Sequence, residues 1–129
     1  MKRIIAISLL GLTPTIGITA PAAASNEVEH LLKTLGSSSC EFYRNGSWHE
    51  ASEAEAHLRK KYNYLTKKGM IGRAEDFIAK GGTESSMSGE PYQVKCPNET
   101  AQPSAAWLMR KLAAFREAGL KAKTPELGN

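Results

Sequence analysis

CEFYRNGSWHEASEAEAHLRKKYNYL, residues 40–65, changes the period of its apolar residues once, and that change decides the fold. Asn45-Gly46 suits a two-residue type I′ turn, which needs positive φ at both central positions. The aromatic-rich segments 41–44 and 47–49 on either side read as short paired strands. Ser52-Glu53-Ala54-Glu55 then places Ser and Glu three apart, the spacing of a reciprocal capping box. The spacing predicts a helix from Ser52 to about Lys68. Gly69 can take the left-handed C′ position, and Lys67 and Lys68 fall in the last turn, where cations suit the helix dipole.

On a helical wheel Ala54, Leu58, Tyr62 and Leu65 share one face. Lys61 lies within that stripe and His57 on its flank. A cation and an imidazole among apolar residues are costly if left unpaired. Either His57 bonds a backbone carbonyl while Lys61 extends its charge to water along an apolar stem, or the two line a pocket.

Upstream, Met1-Lys2-Arg3 is basic, residues 4–20 are apolar but interrupted by Gly11, Pro14 and Gly17, and Ala22-Ala23-Ala24 offers small residues. This is the layout of a secretory signal peptide over residues 1–24, too short and broken to span a bilayer. Cleavage is expected near Ala24, because Pro21 disfavours a cut after Ala20. The expected location is periplasmic or secreted, with no integral membrane span after cleavage. Residues 25–120 then form a single globular domain, followed by a polar, flexible tail over 121–129. The chain carries a net charge of +4, to which Lys2 and Arg3 contribute. The basic runs Arg59-Lys60-Lys61 and Lys67-Lys68 lack an accompanying array of stacking aromatics. Nucleic acid is therefore not an expected partner.

Ser25 or Asn26 can cap a first helix whose inward face is Val28, Leu31, Leu32 and Leu35, ended by Gly36. Ile71, Ala74, Phe77 and Ile78 mark a short helix over about 73–80, with Glu75 and Asp76 in its favourable first turn and Gly81-Gly82 after it. Residues 83–89 form a polar loop. Residues 91–96 alternate as a third strand, with Tyr92, Val94 and Cys96 on one side. A last helix over about 105–118 points Leu108, Leu112 and Phe115 inward, carries Trp107 on its flank, and ends at Gly119. The expected fold is α+β, in the order α-β-β-α-α-β-α. About four helices cover a short antiparallel sheet of two to three strands.

Cys40 and Cys96 are the chain's two cysteines. In an oxidising compartment a disulfide between them is the default. It would tie the start of the hairpin to the end of the third strand.

These segments together carry a resemblance. Cys40-x-Phe42-x-Arg44-Asn45-Gly46, Ala56-His57-Leu58-Arg59-x-Lys61-Tyr62, Ala74-Glu75-Asp76-Phe77-Ile78, Ser85-Ser86-x-Ser88-Gly89-x-Pro91-Tyr92, Cys96 and Trp107-Leu108 follow one another in the chain. In that order they resemble a family of small exported bacterial proteins of unknown function, DUF5329. The resemblance runs to about Arg116. It implies a bacterial, periplasmic protein and supplies no activity.

Three chemistries remain to be weighed. Glu53 with His57, or Glu27 with His30, could each supply two metal ligands, but a zinc site needs three or four, so no metal and no cofactor are expected. Ser85, Ser86 and Ser88 lie in the loop before the third strand. A small hydrolase would use such a serine with His57, and Lys61 or an acid nearby, yet there is no Gly-x-Ser-x-Gly elbow. No catalytic residue is assigned; the candidates are Ser86, Ser88, His57 and Lys61. Binding is the third class. Ser88-Gly89-Glu90-Pro91-Tyr92 resembles the Ser-Gly-x-x-Tyr element of bacterial periplasmic lysozyme inhibitors, although those are β-barrels. Tyr43, Trp48 and Tyr64 are possible exposed aromatic anchors. The preferred reading is a binding or accessory factor of the cell envelope. Its partner would be an envelope protein or glycan, met through His57, Lys61, Ser86, Ser88 and Tyr92.

Overall fold

A computed structural model describes residues 20–123 together with Gly11. The signal-peptide reading falls largely on residues outside these, as does the tail beyond residue 123. The elements run α1 (Ala22–Gly36), β1 (Glu41–Arg44), β2 (Ser47–Glu50), α2 (Ala51–Lys67), α3 (Ala74–Gly81), β3 (Gln93–Lys95), β4 (Gln102–Pro103) and α4 (Ser104–Lys123). The fold is a small α+β domain of four helices and one antiparallel sheet, in the strand order β2-β1-β3-β4. The sheet has one strand more than expected. β4 is two residues long and includes a proline. Proline cannot donate to a ladder and is tolerated at an edge, so its composition gave no strand signal.

The hairpin forms as its turn residues require. Asn45 and Gly46 both have positive φ, 48° and 86°, and Arg44 faces Ser47 across the turn. Phe42 and Val94 are paired on the inward face, while Glu41 and Lys95 point to water. β2 passes directly into α2, and this changes the helix start. The helix begins at Ala51 after an extended Glu50, so Ser52 is already inside the first turn and the expected capping box does not form. Glu55 instead pairs with Arg59, and Glu53 meets His49 at 3.0 Å. The other end is as expected. Gly69 has φ 67°, the Met70 N–H donates to the Leu65 carbonyl and the Gly69 N–H to that of Thr66, a Schellman closure.

α1 starts at Ala22, four residues before Asn26, and buries Ala24 beside Val28, Leu31, Leu32 and Leu35. α3 is anchored by Asp76, whose carboxylate accepts the N–H groups of Gly72 and Arg73. α4 does not stop at Gly119 but continues to Lys123 along solvent. Its core residues are Trp107, Leu108 and Leu112. Phe115 sits at the rim, stacked on His30 with ring centres 4.0 Å apart.

The Cys40–Cys96 disulfide is present and joins the start of β1 to the end of β3. α2 lies against the hairpin and α4 against β3 and β4, while α1 packs on all three other helices. One core therefore runs from Val28 through Leu58 and Phe77 to Val94. Arg116 of α4 clamps its outer side with two hydrogen bonds to Glu27 of α1 and two to Glu75 of α3.

Candidate functional site

The alternation of β1 sends Phe42 inward, so Arg44 leaves the same face of the strand at the hairpin tip. There it meets α2. Arg44 Nη1 lies 3.3 Å from His57 Nδ1, and His57 Nε2 lies 3.1 Å from the Tyr92 hydroxyl. One helical turn on, Lys61 Nζ donates to the same hydroxyl at 3.1 Å and to the Glu84 carbonyl at 3.0 Å. Tyr92 is held in place through its backbone. Its N–H donates to the Thr83 carbonyl and its own carbonyl accepts from the Ser104 N–H, both at 2.9 Å. Its ring packs against Phe42, with centres 4.9 Å apart, and is buried.

The proton arrangement follows from the donors. A guanidinium can only donate, so His57 Nδ1 accepts from Arg44 and Nε2 carries the ring proton toward Tyr92. Lys61 approaches the same oxygen as a second donor. The chain Arg44, His57, Tyr92, Lys61 thus begins and ends on donors, and it holds no carboxylate. Its electrostatics agree. Burial, with the charges of Arg44 and Lys61 next in importance, holds His57 down to about 4. Burial also lowers Lys61 and raises Tyr92 from their ordinary values. His57 is therefore neutral at neutral pH, as its bond from Arg44 requires.

Of the two roles open to His57 and Lys61, the geometry contains part of each. His57 bonds a tyrosine hydroxyl and not a backbone carbonyl, and both side chains are half-buried. Yet they also form the floor of an open groove of about 290 Å³ between α2, α3 and the 83–91 loop. Lys60, Tyr64 and Leu65 of α2 wall it on one side, with Lys80 of α3 and Ser86 of the loop opposite.

The candidate residues divide accordingly. His57, Lys61 and Tyr92 converge, and Ser86 joins them at the groove. Ser88 does not: its hydroxyl donates to Asn45 Oδ1 at 2.7 Å and accepts the Glu90 N–H, which pins the loop to the hairpin tip. Ser85 is buried and accepts the N–H groups of Met87 and Ser88, the work of a turn former. Among the described residues no serine hydroxyl is bonded to His57. The inhibitor-like reading of residues 88–92 requires Tyr92 to be presented to a partner, and its ring lies in the core. Tyr64 is exposed. Trp48 tilts against Tyr43, ring centres 5.3 Å apart, and stays partly exposed. Of the pairs weighed as metal ligands, Glu27 is engaged by Arg116 and Glu53 by His49.

Arg44, Lys60 and Lys80 are the site residues that sequence reasoning missed. Strand alternation could have placed Arg44 on the inward face with Phe42. Nothing local could bring Lys80, on a different helix, to the groove of α2.

The family model described as a family of unknown function, DUF5329, matches residues 22–116. The uncharacterized protein YfeK of Salmonella typhimurium is 36% identical over 94 residues, which cover 71% of this chain and 77% of that protein. No solved structure matches the chain.

Proposed function

The chain belongs to that family of unknown function, and we propose that it is an exported binding or accessory protein of the bacterial cell envelope, its ligand seated in the groove above His57 and Lys61. One observation carries this reading. His57 and Lys61 are both fastened to a buried tyrosine at the floor of an open groove, which fixes their side chains before any ligand arrives. Side chains held in this way lose little further freedom on binding. An apolar wall beside a few fixed polar groups is the ordinary make-up of a ligand seat.

The alternative, a small periplasmic hydrolase, needs a serine hydroxyl within hydrogen-bond reach of a base. Both ring nitrogens of His57 are instead engaged by Arg44 and Tyr92.

The test has two parts. Cell fractionation followed by N-terminal sequencing should find a processed chain in the periplasm. Amide spectra of the folded protein, titrated with soluble peptidoglycan fragments and with lipopolysaccharide, should then shift at Tyr64, Lys80 and Ser86. A chain retained in the cytoplasm would sink the reading, and spectra unmoved by both preparations would remove these two classes of glycan as the ligand.

A further inference from the structure

Resting on that reading of the groove, we propose that the bound part of the ligand is a phosphate monoester, held by Lys60, Lys61, Lys80 and the Ser86 hydroxyl. Three lysines, a histidine and a serine line the groove, and no acidic residue does. Two arginines outside the groove are neutralised by carboxylates: Arg59 pairs with Glu29 and Glu55, and Arg116 with Glu27 and Glu75. Among the described residues, Lys60, Lys61, Lys80 and Arg44 take part in no such pair. The opposing charges felt here are that of Glu84 by Lys61 and that of Asp76, one turn back on α3, by Lys80.

The hydrogen bonds point the same way independently. The chain from Arg44 to Lys61 has donors at both ends, so what the cluster lacks is an acceptor. Lys61 uses two of its three protons, on Tyr92 and Glu84, and these two bonds fix the direction of the third. Lys80 uses one, on the Met70 carbonyl, and keeps two. A phosphate monoester brings about two negative charges and three strong acceptor oxygens. A carboxylate brings a single charge and a planar pair of oxygens, which suits an arginine fork better than separate point charges. Tyr64 and Leu65 offer an apolar wall to the glycerol or sugar that carries the phosphate.

The probes are glycerol 3-phosphate, glycerol, glycerate, and vesicles of phosphatidic acid in phosphatidylcholine. Amide shifts at Lys61, Lys80 and Ser86 are expected to saturate with glycerol 3-phosphate and to weaken as salt is raised. Glycerol should leave them unmoved. Lys61→Met keeps the packing stem, and Lys80→Gln changes an exposed side chain. Each is expected to weaken binding by about tenfold, the scale of one charged hydrogen bond. Binding to vesicles without binding to the soluble ester supports a lipid headgroup as the source of the phosphate; binding to the soluble ester supports a free one. Glycerate or glycerol binding as tightly as the ester overturns the proposal, as do shifts that spread equally to Lys95 and Lys121. If peptidoglycan fragments move the groove residues while every phosphate probe is silent, the phosphate assignment falls and the groove reading stands. If nothing moves them, both fall.

Discussion

Lys61 donates a 3.1 Å hydrogen bond to the buried Tyr92 hydroxyl, and its ammonium lies 4.8 Å from the centre of the same ring. The cation is therefore held at the hydroxyl end of the ring. Because the hydroxyl also takes the His57 ring proton, Tyr92 is the joint on which the site is assembled. Its backbone, bonded to the loop on one side and to the start of α4 on the other, couples the site to the whole domain.

Tyr92→Phe should keep the ring packing and remove the shared acceptor. His57 and Lys61 are then left half-buried without it. The expected loss is roughly 1–3 kcal/mol, the range for a disturbed buried hydrogen bond. Denaturant unfolding reads it directly, and an unchanged midpoint would show that the hydroxyl contributes nothing.

His57 should stay neutral far below the usual histidine range. The unfolded chain takes up this proton near 6.5, the folded chain only near 4. Between these values the unfolded state binds more protons. The contribution is therefore complete above about pH 6.5 and is lost as pH falls toward 4. Imidazole carbon shifts of His57 should be flat from pH 8 down to about 5.5. A reversible titration with a midpoint near 6.5 would be incompatible with this site.

The Cys40–Cys96 bridge spans 56 residues. Replacing both cysteines by alanine should lower stability by about 4 kcal/mol, the chain-entropy value for a loop of this length. Intact mass under non-reducing conditions should be two hydrogens below that of the reduced chain. Native material with two alkylatable thiols would contradict the bridge.

Arg116 holds Glu75 down to about 2 through paired hydrogen bonds. Arg116→Leu should raise the Glu75 carboxyl toward its ordinary value and cost roughly 1 kcal/mol once solvent screening is allowed for. The stabilisation should be present above about pH 4.5 and fade as pH falls toward 2. Arg116→Lys should recover little, because an ammonium cannot fork to two carboxylates. Carboxyl carbon titration of Glu75 in each variant checks this, and full recovery by lysine would refute the fork.

A serine-directed phosphonate should label none of Ser85, Ser86 or Ser88. No base is bonded to any of their hydroxyls; Ser85 and Ser88 instead hold the loop. Labelling of Ser86 that disappears in His57→Ala would reinstate the hydrolase.

Sequence alone determined what depends on neighbours in the chain. Asn45-Gly46 fixed the turn, because few other pairs accept positive φ twice. The four-residue spacing of Ala54, Leu58 and Tyr62 fixed the buried face of α2, and Gly69 its end. Two cysteines left one possible intramolecular pairing. Tertiary structure decided the rest. Ser52 has the right partner for a capping box, but the direct passage from β2 into α2 moved the start past it. Gly119 favours an ending, yet an exposed helix tolerates glycine at a penalty of about 1 kcal/mol. Most of all, periodicity placed His57 and Lys61 beside an apolar stripe without saying what they would meet. Their partners arrive from β1, from the residue before β3, and from Glu84 of the loop. Such contacts are set by which faces must be buried together, a property of the whole chain.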